Sequence, residues 1–227
     1  MNRERFETMQ RYMHSCMADS AHDREHVYRV LYTALQLAEG EANVNMDVLI
    51  AACLLHDIGR QEQFADPKLC HAVVGGEKAF SFLKELGYPE GFCDHVRSCI
   101  VTHRFRRNMP PETVEAKILF DADKLDVTGA IGIARSLLYQ GQAAGPLYTV
   151  NADGTVGEGG EEEGDSFFRE YKFKLEKIYD RFYTRRGREL AQQRRQAAVS
   201  FYENLLAEVR QDYDLGSALL RQLLEDK

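Results

Sequence analysis

Residues 49–60 read LIAACLLHDIGR: seven apolar residues in a row, then His56 and Asp57 side by side, then Gly59 after one more apolar position. A run this apolar on every side belongs to an enclosed helix, and the glycine is a natural end for it. A carboxylate at the end of an enclosed run is costly unless something positive offsets it. A metal ion bound by both His56 and Asp57 would supply that charge, because a neutral imidazole is a strong ligand and a carboxylate a harder one. Adjacent helical positions diverge by about 100°, but at a helix end both side chains can still turn toward one ion.

The helical reading extends along the chain. Val27, Val30, Leu31, Ala34, Leu35 and Ala38 recur at three- and four-residue spacing, and Gly40 closes that helix. The pattern predicts further helices over 2–18, 46–57, 71–86, 89–103, 112–126 and 129–140, with Pro89, Pro110 and Pro111 suited to first turns. Residues 141–165 crowd glycine and acidic residues, which reads as a long, partly disordered loop with a small hairpin at Asp153 and Gly154. Helices are expected again over 166–184, 187–209 and 214–225. Phe167, Phe168, Leu175, Ile178 and Phe182 need a partner, so this C-terminal extension is expected to pack on the core. The expectation is one all-α domain over 1–227, its core at about 20–140.

Other ligands are sought on neighbouring helices. In AHDREHVYRV, residues 21–30, His26 borders the apolar stripe of its helix. Asp23, one turn earlier, suits an acceptor for a ligating imidazole or a residue favoured by the helix dipole. Arg29, one turn later, suits an anionic substrate group. Asp121, Asp123 and Asp126 fall in or at the end of an apolar helix, and periodicity slightly favours Asp121 as the more inward.

The ordered set of a histidine, a His-Asp pair and an aspartate, each on its own helix, resembles the HD-domain superfamily of metal-dependent phosphohydrolases. AHDREHVYRV is similar to its first motif, AACLLHDIGR to its second, and ILFDADKLDVTGAIGIAR to its last. The resemblance covers nearly the whole chain and looks most like stand-alone bacterial members. It implies an all-α HD-domain helical bundle holding one divalent ion through His26, His56, Asp57 and Asp123. Asp123 is chosen because Ala122, Asp123 and Lys124 match the family's Ala-Asp-basic pattern, with Asp121 and Asp126 left to structural or ligand-supporting roles. His71 and His103 are expected in the site wall beside substrate, with Arg29 and Lys124 near the phosphoryl oxygens. Glu77 and His95 lie in the same middle region, which does not clearly match the two-metal subgroup, and no GYP-type signature occurs. Arg104, Arg106 and Arg107 would attract phosphates or complement a helix end.

The implied chemistry is hydrolysis of a phosphate ester or anhydride, with Asp57 or Asp123 sharing a proton with the attacking water. The mixed donor set suits manganese, iron, nickel, cobalt or zinc better than magnesium. A nucleotide is the expected small-molecule substrate, a triphosphate losing pyrophosphate first among the choices. The alternatives are a 5'-nucleotidase-type phosphomonoesterase and a nucleotide-binding sensor without turnover. The net charge of -7 argues against a nucleic-acid surface. No apolar segment reaches the ~18–20 residues of a membrane span, and residues 1–17 lack the apolar centre of a signal peptide. No membrane association and a cytoplasmic location are therefore expected. Five cysteines, an odd number with no C-x-x-C pair, argue against disulfides and a cysteine zinc site. These features leave the oligomeric state open.

Overall fold

Asn45 opens the helix that carries the central motif. Its side-chain oxygen accepts the Val48 N–H at 3.3 Å, matching one of the donors that a helix start leaves unsatisfied. The helix is α3 (Met46–Leu55), and its apolar face has no polar opposite: Val48, Leu49 and every residue from Ala51 to Leu55 are buried. Such a helix has to be surrounded. In the computed structural model, which describes residues 1–17, 24–104 and 109–225, α1 (Arg3–Cys16), α2 (Arg24–Ala38), α5 (His71–Glu85), α6 (Glu90–Thr102) and α7 (Val114–Leu125) all pack on it. Chain order is completed by α4 (Arg60–Ala65), α8 (Gly129–Gln142), α9 (Phe167–Glu170) and α10 (Arg185–Glu225). Among the described residues there is no strand, only an isolated bridge between Val150 and Val156. The fold class is all-α, as the periodicity indicated.

The chain divides into two compact units. The first comprises Met1–Asp126 with Phe182–Arg188, and the second Val127–Arg181 with Glu189–Lys227. Phe167, Phe168, Tyr171 and Tyr202 are buried in the second unit, where the Tyr171 and Tyr202 rings stack at 4.1 Å and Phe168 meets Tyr202 edge-on at 5.3 Å. Every residue of the site described below belongs to the first unit.

Several elements differ from expectation. The chain does not stay irregular after Gly59 but resumes at once as α4. Gly59 is there for space: a Cβ on it would lie 2.3 Å from the His71 carbonyl oxygen and 2.6 Å from the Gly75 nitrogen. Gly59→Ala is expected to force α5 away from the motif and to lower Tm by roughly 5 °C or more, measurable by thermal unfolding. The segment over 166–184 is not one helix but α9, a π turn (Tyr171–Leu175) and a 3-10 turn (Ile178–Asp180). Thr184 then starts α10, its Oγ1 accepting the Gly187 N–H at 3.0 Å. The two helices expected over 187–209 and 214–225 are continuous, because Gly216 alone costs only about 1 kcal/mol and breaks nothing. The 141–165 loop has local order: the Glu163 carboxylate accepts from Thr149 Oγ1 and from the Glu158 and Gly159 N–H groups. The hairpin there reduces to the single bridge, turned by Gly154 at φ +85°.

Candidate metal centre

Five helices and the turns that end them bring the polar residues of the first unit together. His56 is the C-terminal cap of α3 and Asp57 follows it. His26 lies in the first turn of α2, His71 opens α5, His103 caps α6, and Asp123 lies near the end of α7. Each of the four imidazoles has an acceptor at Nδ1. For His26 it is Asp126 Oδ2 at 2.6 Å, for His56 the Cys53 carbonyl at 2.7 Å, for His71 Gln63 Oε1 at 2.6 Å, and for His103 the Ile100 carbonyl at 2.5 Å. Donation of Nδ1–H to these acceptors leaves the Nε2 lone pairs facing inward. At His71 the Arg104 Nη1 atom, 3.1 Å from the same Nδ1, competes, but the Gln63 contact is shorter.

The inward atoms meet one another and carboxylate oxygens. His26 Nε2 lies 3.4 Å from His56 Nε2, 3.4 Å from Asp123 Oδ1 and 3.6 Å from Asp57 Oδ2. Asp57 Oδ1 turns the other way, 3.2 Å from His71 Nε2 and 3.9 Å from His103 Nε2. Two donor groups result, one of His26, His56 and Asp123, the other of Asp57, His71 and His103. Both Asp57 oxygens, His71 Nε2 and His103 Nε2 are buried without a hydrogen-bond partner. Buried acceptors in that condition are rare in folded proteins, and acceptors facing acceptors need a cation between them. The residues therefore fit a divalent ion, and the mixture of imidazole and carboxylate suits a transition metal.

Electrostatics keep the donors in ligating form. Burial is the largest influence on Asp57 and pushes its carboxyl up; Arg60, 3.0 Å away, and then the imidazoles overcome it and hold the group well below the usual range. That Arg60 contact is an ion pair by distance without hydrogen-bond alignment. Burial likewise pushes Asp123 up, and His26, 3.4 Å away, with the groups around it, Lys124 among them, brings it well down. Burial lowers His56, takes His71 to about 4 and takes His103 to about 3. An unfolded histidine titrates near 6.5, so the unfolded chain takes up these protons first as pH falls. Metal-free protein should lose stability from about pH 6.5 downward, on the order of 2 kcal/mol for each of His71 and His103 between pH 7 and 5. Urea unfolding across that window checks the sign; a flat profile would mean that the imidazoles titrate normally.

The other residues singled out by sequence divide. Asp121 faces away from this cluster: it is buried and accepts from the Tyr183 N–H at 2.9 Å, the Thr184 N–H at 2.7 Å and Thr184 Oγ1 at 2.7 Å. Burial pushes its carboxyl up despite those bonds. Asp23, Arg106 and Arg107 lie outside the described residues. Asp126 occupies the acceptor place behind His26 and also takes Arg29, through Nε at 2.7 Å and Nη2 at 3.1 Å. Lys124 lies 5.3 Å from the centre of the Phe120 ring. His95 pairs with Glu115 at 3.0 Å and Glu77 with Arg97 at 3.4 Å, neither in the cluster. Arg60 was missed by sequence reasoning. Its only signal is a cation one turn after a buried carboxylate, the spacing at which helical side chains meet.

The chain was compared with known proteins on this footing. Residues 24–128 match the HD domain. The protein YpgQ of Bacillus subtilis is 29% identical over 206 residues, which are 88% of this chain and 91% of that one. The crystal structure of an HD-superfamily hydrolase from Bacillus thuringiensis superposes with a TM-score of 0.68 at 28% identity, covering 90% of this chain and 96% of that one. The crystal structure of Bacillus subtilis YpgQ in complex with ADP gives 0.69 at 25% identity, covering 90% and 95%. The matched segment contains the His56–Asp57 pair and every imidazole of the cluster, so residues 24–128 of this chain are an HD domain.

Proposed function

We propose that the protein hydrolyses a phosphate ester or anhydride of a nucleotide, using one divalent ion held by His26, His56, Asp57 and Asp123. The observation that carries this reading is the buried Asp57 carboxylate, without a hydrogen-bond partner and facing two groups of imidazole and carboxylate donor atoms. When bound, the ion supplies Lewis acidity toward a phosphoryl oxygen and toward water. Manganese, iron, nickel, cobalt or zinc suits the donors better than magnesium.

The chain's own groups do the rest. Arg60 keeps Asp57 ionised, so that Asp57 or Asp123 can take a proton from the attacking water. Arg29 and Lys124 offset charge on the phosphoryl oxygens as the transition state forms. His71 and His103 line the wall beyond Asp57 Oδ1. Their geometry supports a second reading, in which a second cation lies between them and Asp57.

YpgQ has been crystallised with ADP, which supports a nucleotide as the ligand here. A nucleoside triphosphate losing pyrophosphate is the first choice of substrate. Nucleoside mono-, di- and triphosphates incubated with manganese-loaded protein test this. Release of pyrophosphate or phosphate should fall by roughly 10³-fold in His56→Ala. Equal release from both proteins would remove hydrolysis from this site, and nucleotide binding without release would make the protein a sensor.

A further inference from the structure

We infer that Asp126 is a positioning residue that serves the ligand His26 and the substrate-facing cation Arg29 at once. The inference rests on the metal reading above and deepens it. Asp126 caps α7, and its N–H returns to the Asp123 carbonyl at 3.2 Å. One turn of helix thus delivers two carboxylates to opposite sides of one imidazole. Asp123 Oδ1 faces His26 Nε2 at 3.4 Å, and Asp126 Oδ2 takes His26 Nδ1 at 2.6 Å.

Asp126 is buried, so its charge is screened little by solvent. It fixes His26 in the Nδ1–H form and makes Nε2 a stronger donor, as carboxylates behind ligating histidines do. The same two oxygens hold the Arg29 guanidinium in a fork, Nε on Oδ1 and Nη2 on Oδ2. A fork of this kind fixes the plane of the guanidinium as well as its place. Loss of Asp126 therefore releases two functional groups through one change. The spacing of Asp126 from Asp123 is what a helix needs to place both on one face.

The test is calorimetric titration of manganese into metal-free wild-type and Asp126→Asn proteins, with circular dichroism to compare their helix content. Asp126→Asn should bind manganese roughly 10- to 100-fold more weakly at unchanged helix content. Affinity within about twofold of wild type would overturn the inference alone, while a wild type that binds no ion would overturn the metal reading with it. Should Asp126→Asn fail to fold, nitrogen-15 spectra of the metal-free wild type decide the matter, recorded at a pH where imidazole is neutral. His26 in the Nδ1–H form, with a slowly exchanging Arg29 Nε–H, supports the inference. His26 in the Nε2–H form contradicts it. A purely structural Asp126 would move neither the manganese affinity nor the tautomer.

Discussion

Replacing Asp57 by alanine should abolish metal retention and reduce turnover by roughly 10³-fold or more. The size of the effect follows from how the residue is shared. Oδ2 lies 3.6 Å from His26 Nε2 and 3.7 Å from His56 Nε2, while Oδ1 lies 3.2 Å from His71 Nε2. Asp57 belongs to one donor group and faces the other, so its removal takes the only carboxylate from the first and leaves the second with Asp123 alone. Thermal unfolding gives a second readout. Manganese at about 100 times its Kd should raise the wild-type Tm by about 5–10 °C, and the alanine protein's by about 1 °C or less. Equal shifts would move the ion away from Asp57.

The second large effect separates two aspartates two residues apart. Asp121→Ala should cost about 3 kcal/mol or more of stability, because the Tyr183 and Thr184 N–H groups and the Thr184 hydroxyl lose their acceptor in a closed space. That space is tight enough that a Cβ on Gly187 would lie 2.6 Å from Asp121 Oδ2. Metal bound per folded chain should not change. Asp123→Ala should do the reverse, weakening manganese binding by an order of magnitude or more with Tm within about 3 °C of wild type. Urea unfolding and metal analysis of the two variants side by side check both directions. If Asp121→Ala loses the ion and Asp123→Ala keeps it, the two roles are exchanged.

These two residues also mark the limit of what periodicity reports. It identified both Asp121 and Asp123 as lying on an apolar helix and read Asp121 as the more inward, which its complete burial matches. It could not say what an inward side chain faces: the partners of Asp121 are 62 and 63 residues away. The acceptor behind His26 shows the same limit. Asp126 is 100 residues distant and reaches His26 only through the packing of α7 on α2, which local spacing cannot report. Apart from α4, the helices before residue 142 were legible because glycine and proline punctuate them. α10 was misread because the polar stretch over 210–214 resembles a break but contains nothing that stops a helix. His71 and His103 stand at helix ends with no local pattern, so the family resemblance alone pointed to them as wall residues, and their meeting at Asp57 belongs to the packing.

Crystals of the protein soaked in manganese, with anomalous scattering measured at the manganese edge, test the central assignment most directly. The expected result is a peak about 2.0–2.2 Å from His26 Nε2 and His56 Nε2, with carboxylate oxygens of Asp57 and Asp123 completing the set. No peak at saturating manganese, or a peak only on another group of side chains, would contradict it.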